Sequence, residues 1–152
     1  MDKNIAEEIA DCFQQEGRSG RQTCIDLAES EGLRHIGRGK AREVFTDGDH
    51  VLKTVRHGGG ICTDENRTEV EWWDEVEGTT LGSHFAEIHE YSDDYRWITM
   101  DYYGESPSLD DIQETEKKIK RSGAQCPDMN TGNFRQDEDG NTVLVDYGQG
   151  CF

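Results

Sequence analysis

Residues 128–152 read "DMNTGNFRQDEDGNTVLVDYGQGCF" and hold three oxygen-bearing side chains at intervals that suit chemistry. Asp128 and Asn133 lie five apart. Asp146 ends the apolar run Val143-Leu144-Val145 and is followed by Tyr147-Gly148. Carboxylate and amide oxygens of this kind suit Mg²⁺, a hard cation that keeps part of its shell for water and phosphate oxygens. A carboxylate beside a hydroxyl can also accept its proton. The same letters could form two Asx turns flanking a hairpin; the spacing, the order and the apolar run favour a site. Further back, Lys53 stands between apolar neighbours in "VLKTV", a poor surface position if both faces of that strand are covered. Glu69, Glu71 and Glu75 follow in "TEVEWWDEVE" as carboxylates that could hold it.

The surrounding pattern supplies elements to carry these groups. Residues 3–16 present Ile5, Ile9, Cys12 and Phe13 as a helical stripe. Gly17, Ser19 and Gly20 break it. Residues 22–31 form a second short helix with Cys24, Ile25 and Ala28 on one side, and Gly32 ends it. Both helices are expected to be packing elements. Three alternating segments follow: 33–39, 41–47 and 50–56, the last two joined by the turn "DGD" (47–49). "HGGG" (57–60) is a break. Residues 64–77 carry Val70, Trp73 and Val76 at three-residue steps, with Asp64 as the expected N-cap. Segments 85–92 and 95–103 pair as strands. Residues 108–123 form a helix with Ser108 as cap, acids first, bases last and Gly123 as stop. "NFRQ" and "TVLVD" close a last hairpin around "DEDGN".

The chain has 152 residues, enough for one domain with a core or two small lobes. Hydrophobic and charged residues each make up 32%, and the mean hydropathy is −0.91. Aromatic residues are spread along the chain, so a folded, very polar protein is expected rather than disorder. The net charge of −17 lacks the basic face that nucleic-acid binding needs. It suits instead an acidic surface for high salt, as in a halophile, or an acidic mimic of a basic partner's ligand. Cys12, Cys24, Cys62, Cys126 and Cys151 form no CxxC pair and are expected as buried free thiols in a reducing cytoplasm. His84 and His89 are five apart and make no HExxH zinc helix. The polar N-terminus is no signal peptide, and no apolar stretch is long enough to span a bilayer.

Taken in order, these parts resemble the protein-kinase-like fold, including its aminoglycoside-phosphotransferase branch and small kinase-like proteins of microbes and their viruses. The resemblance covers residues 33–150. "GRGKAREV" is similar to the Gly-rich loop G-x-G-x-x-G-x-V at Gly37, Gly39 and Val44, with Arg42 in the third glycine position. It implies that the glycines approach phosphates, that Val44 covers an adenine, and that Lys53 holds nucleotide phosphates. "NRTEVEWW" resembles the N-x-x-E segment of small kinase-like proteins, which favours Glu69 over Glu71 as the partner of Lys53. "WITM" and "DYYG" resemble the strand and hinge that receive the base, with Met100 at the back of the pocket and the backbone of Asp101 and Tyr103 bonding it. Asp128 with Asn133 five residues on, and D-Y-G for D-F-G at Asp146, resemble the catalytic and metal-binding segments. "NTGN" resembles the H-P-G-N turn. The resemblance therefore implies Asp128 as base and Asn133 and Asp146 as Mg²⁺ ligands.

The expected fold is α+β and protein-kinase-like: an N-terminal helical extension (1–32), an antiparallel-sheet N-lobe with one helix (33–104) and a truncated C-lobe (105–152). Departures limit the activity. Cys126-Pro127 replaces the usual His or Arg, and Asn130 stands where a cation normally lies. Only four residues follow Gly148, so the activation segment and the helices of a peptide-substrate platform are expected to be absent. Three functions follow. The first is an ATP- and Mg²⁺-binding protein that, if catalytic, transfers the γ-phosphoryl group to an unidentified hydroxyl acceptor. The second is a non-catalytic, pseudokinase-like binding or regulatory module. The third is a viral structural or interaction protein with relic kinase features. Neither nucleic acid nor membrane is an expected partner, and the expected location is the cytoplasm, or a virion if the protein is viral.

Overall fold

The computed structural model describes residues 1–17, 19–56, 64–124 and 129–148. They form helices α1 (Lys3–Glu16), α2 (Arg21–Ser30), α3 (Asp64–Val76) and α4 (Leu109–Arg121). The strands are β1 (Arg34–Arg38), β2 (Arg42–Thr46), β3 (His50–Val55), β4 (Ile88–Tyr91), β5 (Trp97–Asp101), β6 (Phe134–Gln136) and β7 (Thr142–Leu144). The expected α+β, kinase-like architecture is present. The chain divides into two compact units, residues 1–66 with 88–102, and residues 67–87 with 103–152.

The first unit is built on an antiparallel sheet of order β1-β2-β3-β5-β4. Strand alternation gives this sheet two different faces. Phe45, Leu52 and Trp97 lie on one face. They are fully buried beneath Ala6, Ile9, Ala10 and Phe13 of α1 and Cys24, Ile25 and Ala28 of α2. The helical stripes expected for these two helices are therefore the lid of a hydrophobic core, with Ile5 and Cys12 partly buried at its margin. Gly20 lets the two helices meet closely, since a Cβ there would stand 2.2 Å from the Cβ of Glu16. Gly32, at φ +84°, takes the left-handed conformation that ends α2 as expected.

One expectation is overturned in this helical pair. Cys12 and Cys24 are joined as a disulfide between α1 and α2, with their Cα atoms 5.6 Å apart. They are not the free thiols that their wide spacing suggested, because neighbouring helices bring together residues that the sequence separates. Asp64, expected to cap α3, is instead its first helical residue.

The second unit packs α4 on the β6–β7 hairpin, with Ile112, Ile119, Phe134, Val143 and Leu144 in its core. The rest of α3 contributes Val70 and Val76, and Trp72 stacks on Phe85 at 6.4 Å between ring centres. Ser108 caps α4 by accepting the Asp111 N–H at 3.2 Å, and Gly123 follows the helix at φ +84°. Both agree with the sequence.

Candidate functional site

In the first unit the sequence-predicted residues are set by strand register. Val44 pairs with Lys53, and Lys53 pairs in turn with Ile98. Thr46 pairs with Val51, and Val51 with Met100. Directly paired residues share a face, and so do residues two apart along a strand. Val44, Lys53 and Met100 therefore lie on one face, opposite the Phe45-Leu52-Trp97 core. Lys53 is only 4% exposed and Met100 is fully buried. Asp101 ends β5 and is half-buried, with a 2.7 Å bond to His89.

Gly37 pairs with Val44 at a register irregularity after His35, and Gly39 donates its N–H to the Arg42 carbonyl at 2.9 Å. Neither glycine has a positive φ. A Cβ would meet Val44 at 3.7 Å beside Gly37 and the Arg42 carbonyl at 3.9 Å beside Gly39, both ordinary contacts. The fold itself does not demand glycine at either position. Arg42, which departs from the loop pattern, is the first residue of β2 rather than a loop residue. It is 3% exposed, and its guanidinium bonds Glu65 at 2.9 Å and Asn66 at 3.0 Å.

Strand β2 is braced on its other face by a cluster that sequence reasoning missed. Glu43 is fully buried yet accepts bonds from Arg21 of α2 (3.0 Å), His35 of β1 (2.6 Å) and Arg56 (3.2 Å). Burial alone would raise its pKa. The hydrogen bonds from Arg21, His35 and Arg56 outweigh that and hold the carboxyl below its ordinary value. The available signal was a glutamate at a core-facing position of "AREVFTD".

In the second unit, Glu69 and Glu71 separate cleanly: Glu69 is fully buried and Glu71 is exposed. The Glu69 carboxylate accepts the backbone N–H of Tyr147 at 3.1 Å, which ties α3 to the D-Y-G turn. Tyr147 is buried, packs edge-on against Phe85 at 5.1 Å and donates its hydroxyl to the Ala86 carbonyl at 2.8 Å. That bond accounts for a tyrosine where the family pattern has phenylalanine. Asn133 and Asp146 lie at the same end of the β6–β7 hairpin. The Val145 N–H donates to the Asn133 carbonyl at 2.8 Å, one step beyond the Phe134–Leu144 pair. Both side chains are half-buried. Tyr103 is half-buried in this unit too. Asp128 lies outside the described residues.

Among the described residues no group of three or more His, Cys, Asp or Glu could hold a metal ion. Asn133 and Asp146 offer one amide and one carboxylate oxygen. This donor set fits Mg²⁺, which binds through one or two side chains plus water and phosphate, and does not fit a closed all-protein cage.

No protein-family model and no curated protein matches the sequence. Solved structures do resemble it. The streptomycin–ATP–APH(2″)-IIa ternary complex matches 98% of this chain and 71% of its own, at TM-score 0.54 and 12% identity. Two structures of the bifunctional kinase-methyltransferase WbdD match 72% and 77% of this chain, at TM-scores 0.50 and 0.51 and identities of 16% and 14%. The chain spans about a third of WbdD's length. At these identities the likeness establishes the kinase-like fold.

Proposed function

We propose that this chain binds ATP with Mg²⁺ and transfers the γ-phosphoryl group to a hydroxyl acceptor. The observation that carries this is the register of the five-stranded sheet, with Lys53 almost withdrawn from water between Val44 and Ile98 and with Met100 further along the same face. An ammonium in such surroundings attracts a phosphate more strongly than one in bulk water. Val44 and Met100 offer apolar contact to a base, and the backbone of Asp101 and Tyr103 offers its hydrogen bonds. Gly37 and Gly39 leave their backbone open to close approach by phosphates. Asn133 and Asp146 would hold Mg²⁺, which when bound neutralises charge on the transferred group. Glu69 would steady Lys53, and Asp128 would orient the acceptor hydroxyl and take its proton. The chemistry belongs where ATP is, in the cytoplasm; the Cys12–Cys24 disulfide would be unusual there.

The test is calorimetric titration of Mg·ATP. Asp146→Ala should abolish Mg²⁺-dependent binding, and Lys53→Met should weaken it at least tenfold. Unchanged isotherms for both variants would end the proposal. Asn130, exposed where a cation would steady the phosphoryl group, favours a second reading as a binding module without turnover. ADP formation that stops in Asp128→Asn, with binding retained, selects the enzyme.

A further inference from the structure

We propose that Asn66 is a positioning residue for Lys53, acting through the backbone of the lysine's own strand. The proposal rests on the nucleotide role assigned to Lys53 above. Asn66 lies in the first turn of α3 and is fully buried. A primary amide has two N–H donors and one acceptor oxygen, and here each is directed at a different part of the sheet. Nδ2 donates to the Tyr95 carbonyl at 2.9 Å and points at the Lys53 carbonyl at 3.5 Å. Oδ1 accepts from Arg42 at 3.0 Å. One side chain thus spans the start of β2, the middle of β3 and the turn between β4 and β5.

The amide cannot be reversed. Turned over, its oxygen would face two carbonyl oxygens and its NH₂ a guanidinium, so the network has one orientation. A buried amide costs stability unless every bond is made, and an apolar side chain of the same size would fill the space without that demand. What the amide adds is direction. Tyr95 is the one non-glycine among the described residues with a positive φ, 57°, and its carbonyl is the nearer acceptor of Asn66. Arg42 is held from the other side by Glu65, one residue before Asn66. Glu69 lies three residues further along α3 on the same helix face, where it takes the Tyr147 N–H.

The experiment uses full-length protein with ¹³Cε-labelled lysine, the Lys53 resonance being assigned by its loss in Lys53→Arg. Asn66→Ala is compared with Ile9→Ala, a cavity variant on the opposite face of the sheet. Without nucleotide, Asn66→Ala should move the Lys53 resonance and Ile9→Ala should not. In titrations, Asn66→Ala should raise the Kd for Mg·ATP at least tenfold, and Ile9→Ala should leave it within twofold. If Asn66→Ala does not fold, Asn66→Ser, which keeps a hydroxyl but not the two N–H donors, takes its place with the same expectations. A Lys53 resonance that stays in place, or that moves equally in Ile9→Ala, overturns the proposal whatever happens to binding. If the wild-type protein binds no Mg·ATP, the nucleotide role falls on its own, and the resonance alone decides whether Asn66 positions Lys53.

Discussion

Glu43 is removed from water and then bonded by two guanidinium groups and an imidazole, and both facts set its energetics. A buried carboxylate is costly until it is paired, and Arg21 of α2, His35 of β1 and Arg56, just after β3, supply the pairing. Glu43→Gln keeps the shape and removes the charge, leaving two guanidinium groups without it. The expected loss is about 3 kcal/mol in urea unfolding at neutral pH. The sign with pH follows from the depressed pKa. Unfolded, the group titrates near its ordinary 4.5; folded, it stays ionised to lower pH. Its stabilisation is complete above that ordinary value and disappears as pH falls through the lower folded value. Wild-type stability should therefore drop on acidification below about pH 5, a limb that Glu43→Gln should flatten. Parallel acid limbs in the two proteins would show that Glu43 does not carry it. Tyr147 allows a smaller test. Tyr147→Phe keeps the ring against Phe85 and leaves the buried Ala86 carbonyl without its hydroxyl donor, an expected cost of about 1 kcal/mol.

Among the elements, the α1–α2 pair joins the sheet by two kinds of tie and is itself cross-linked. Its apolar stripe covers Phe45, Leu52 and Trp97. Arg21 reaches Glu43, and Arg96 at the start of the β5 hairpin arm bonds Asp11 at 2.7 Å and Glu7 at 3.3 Å. The Cys12–Cys24 disulfide closes a short loop around the connection. Cross-linking residues this far apart removes chain entropy from the unfolded state, so Cys12→Ser/Cys24→Ser should lose about 3 kcal/mol. The wild-type protein should lose a similar amount in reductant, and the double variant should be indifferent to it. Helices, strands and their order could be read from the sequence because glycines at turns and two clear periodicities punctuate it: 3.6 residues in "KNIAEEIADCF", two in "AREVFTD". Alternation also places Val44, Lys53 and Met100 on one face once β2, β3 and β5 are neighbours. The disulfide, the Glu43 cluster and the reach of Asn66 could not be read, because each depends on which elements meet. The N-x-x-E pattern alone favours Glu69 over Glu71, since helical periodicity does not say which side of α3 is buried.

At the scale of the whole molecule, four arginines are withdrawn into ion pairs while most acids stay in water. Arg21, Arg42, Arg56 and Arg96 are all drawn into specific carboxylate pairs. The surplus acids behind the net charge of −17 fall largely on exposed positions such as Glu71, Asp74, Glu75, Glu87, Asp93, Glu138 and Asp139. Such a surface repels itself at low ionic strength and destabilises the compact state. Salt reverses this over a definite range. The screening length falls from about 10 Å at 0.1 M to about 3 Å at 1 M, and pairs in the interior are screened far less than exposed charges. Stability should therefore rise by about 1–2 kcal/mol, or roughly 3–6 °C in Tm for a chain of this size, between 0.05 and 1 M KCl. Most of the gain should come at the low end, where screening changes fastest. A rise of constant slope to several molar would mark salt-strengthened apolar burial instead. A Tm that falls with KCl would mean that the Glu43 and Arg96 pairs dominate the electrostatics and that the acidic surface is no burden to folding. Comparing the KCl curve of the wild type with that of Glu43→Gln separates the two contributions, because only the buried cluster differs between them.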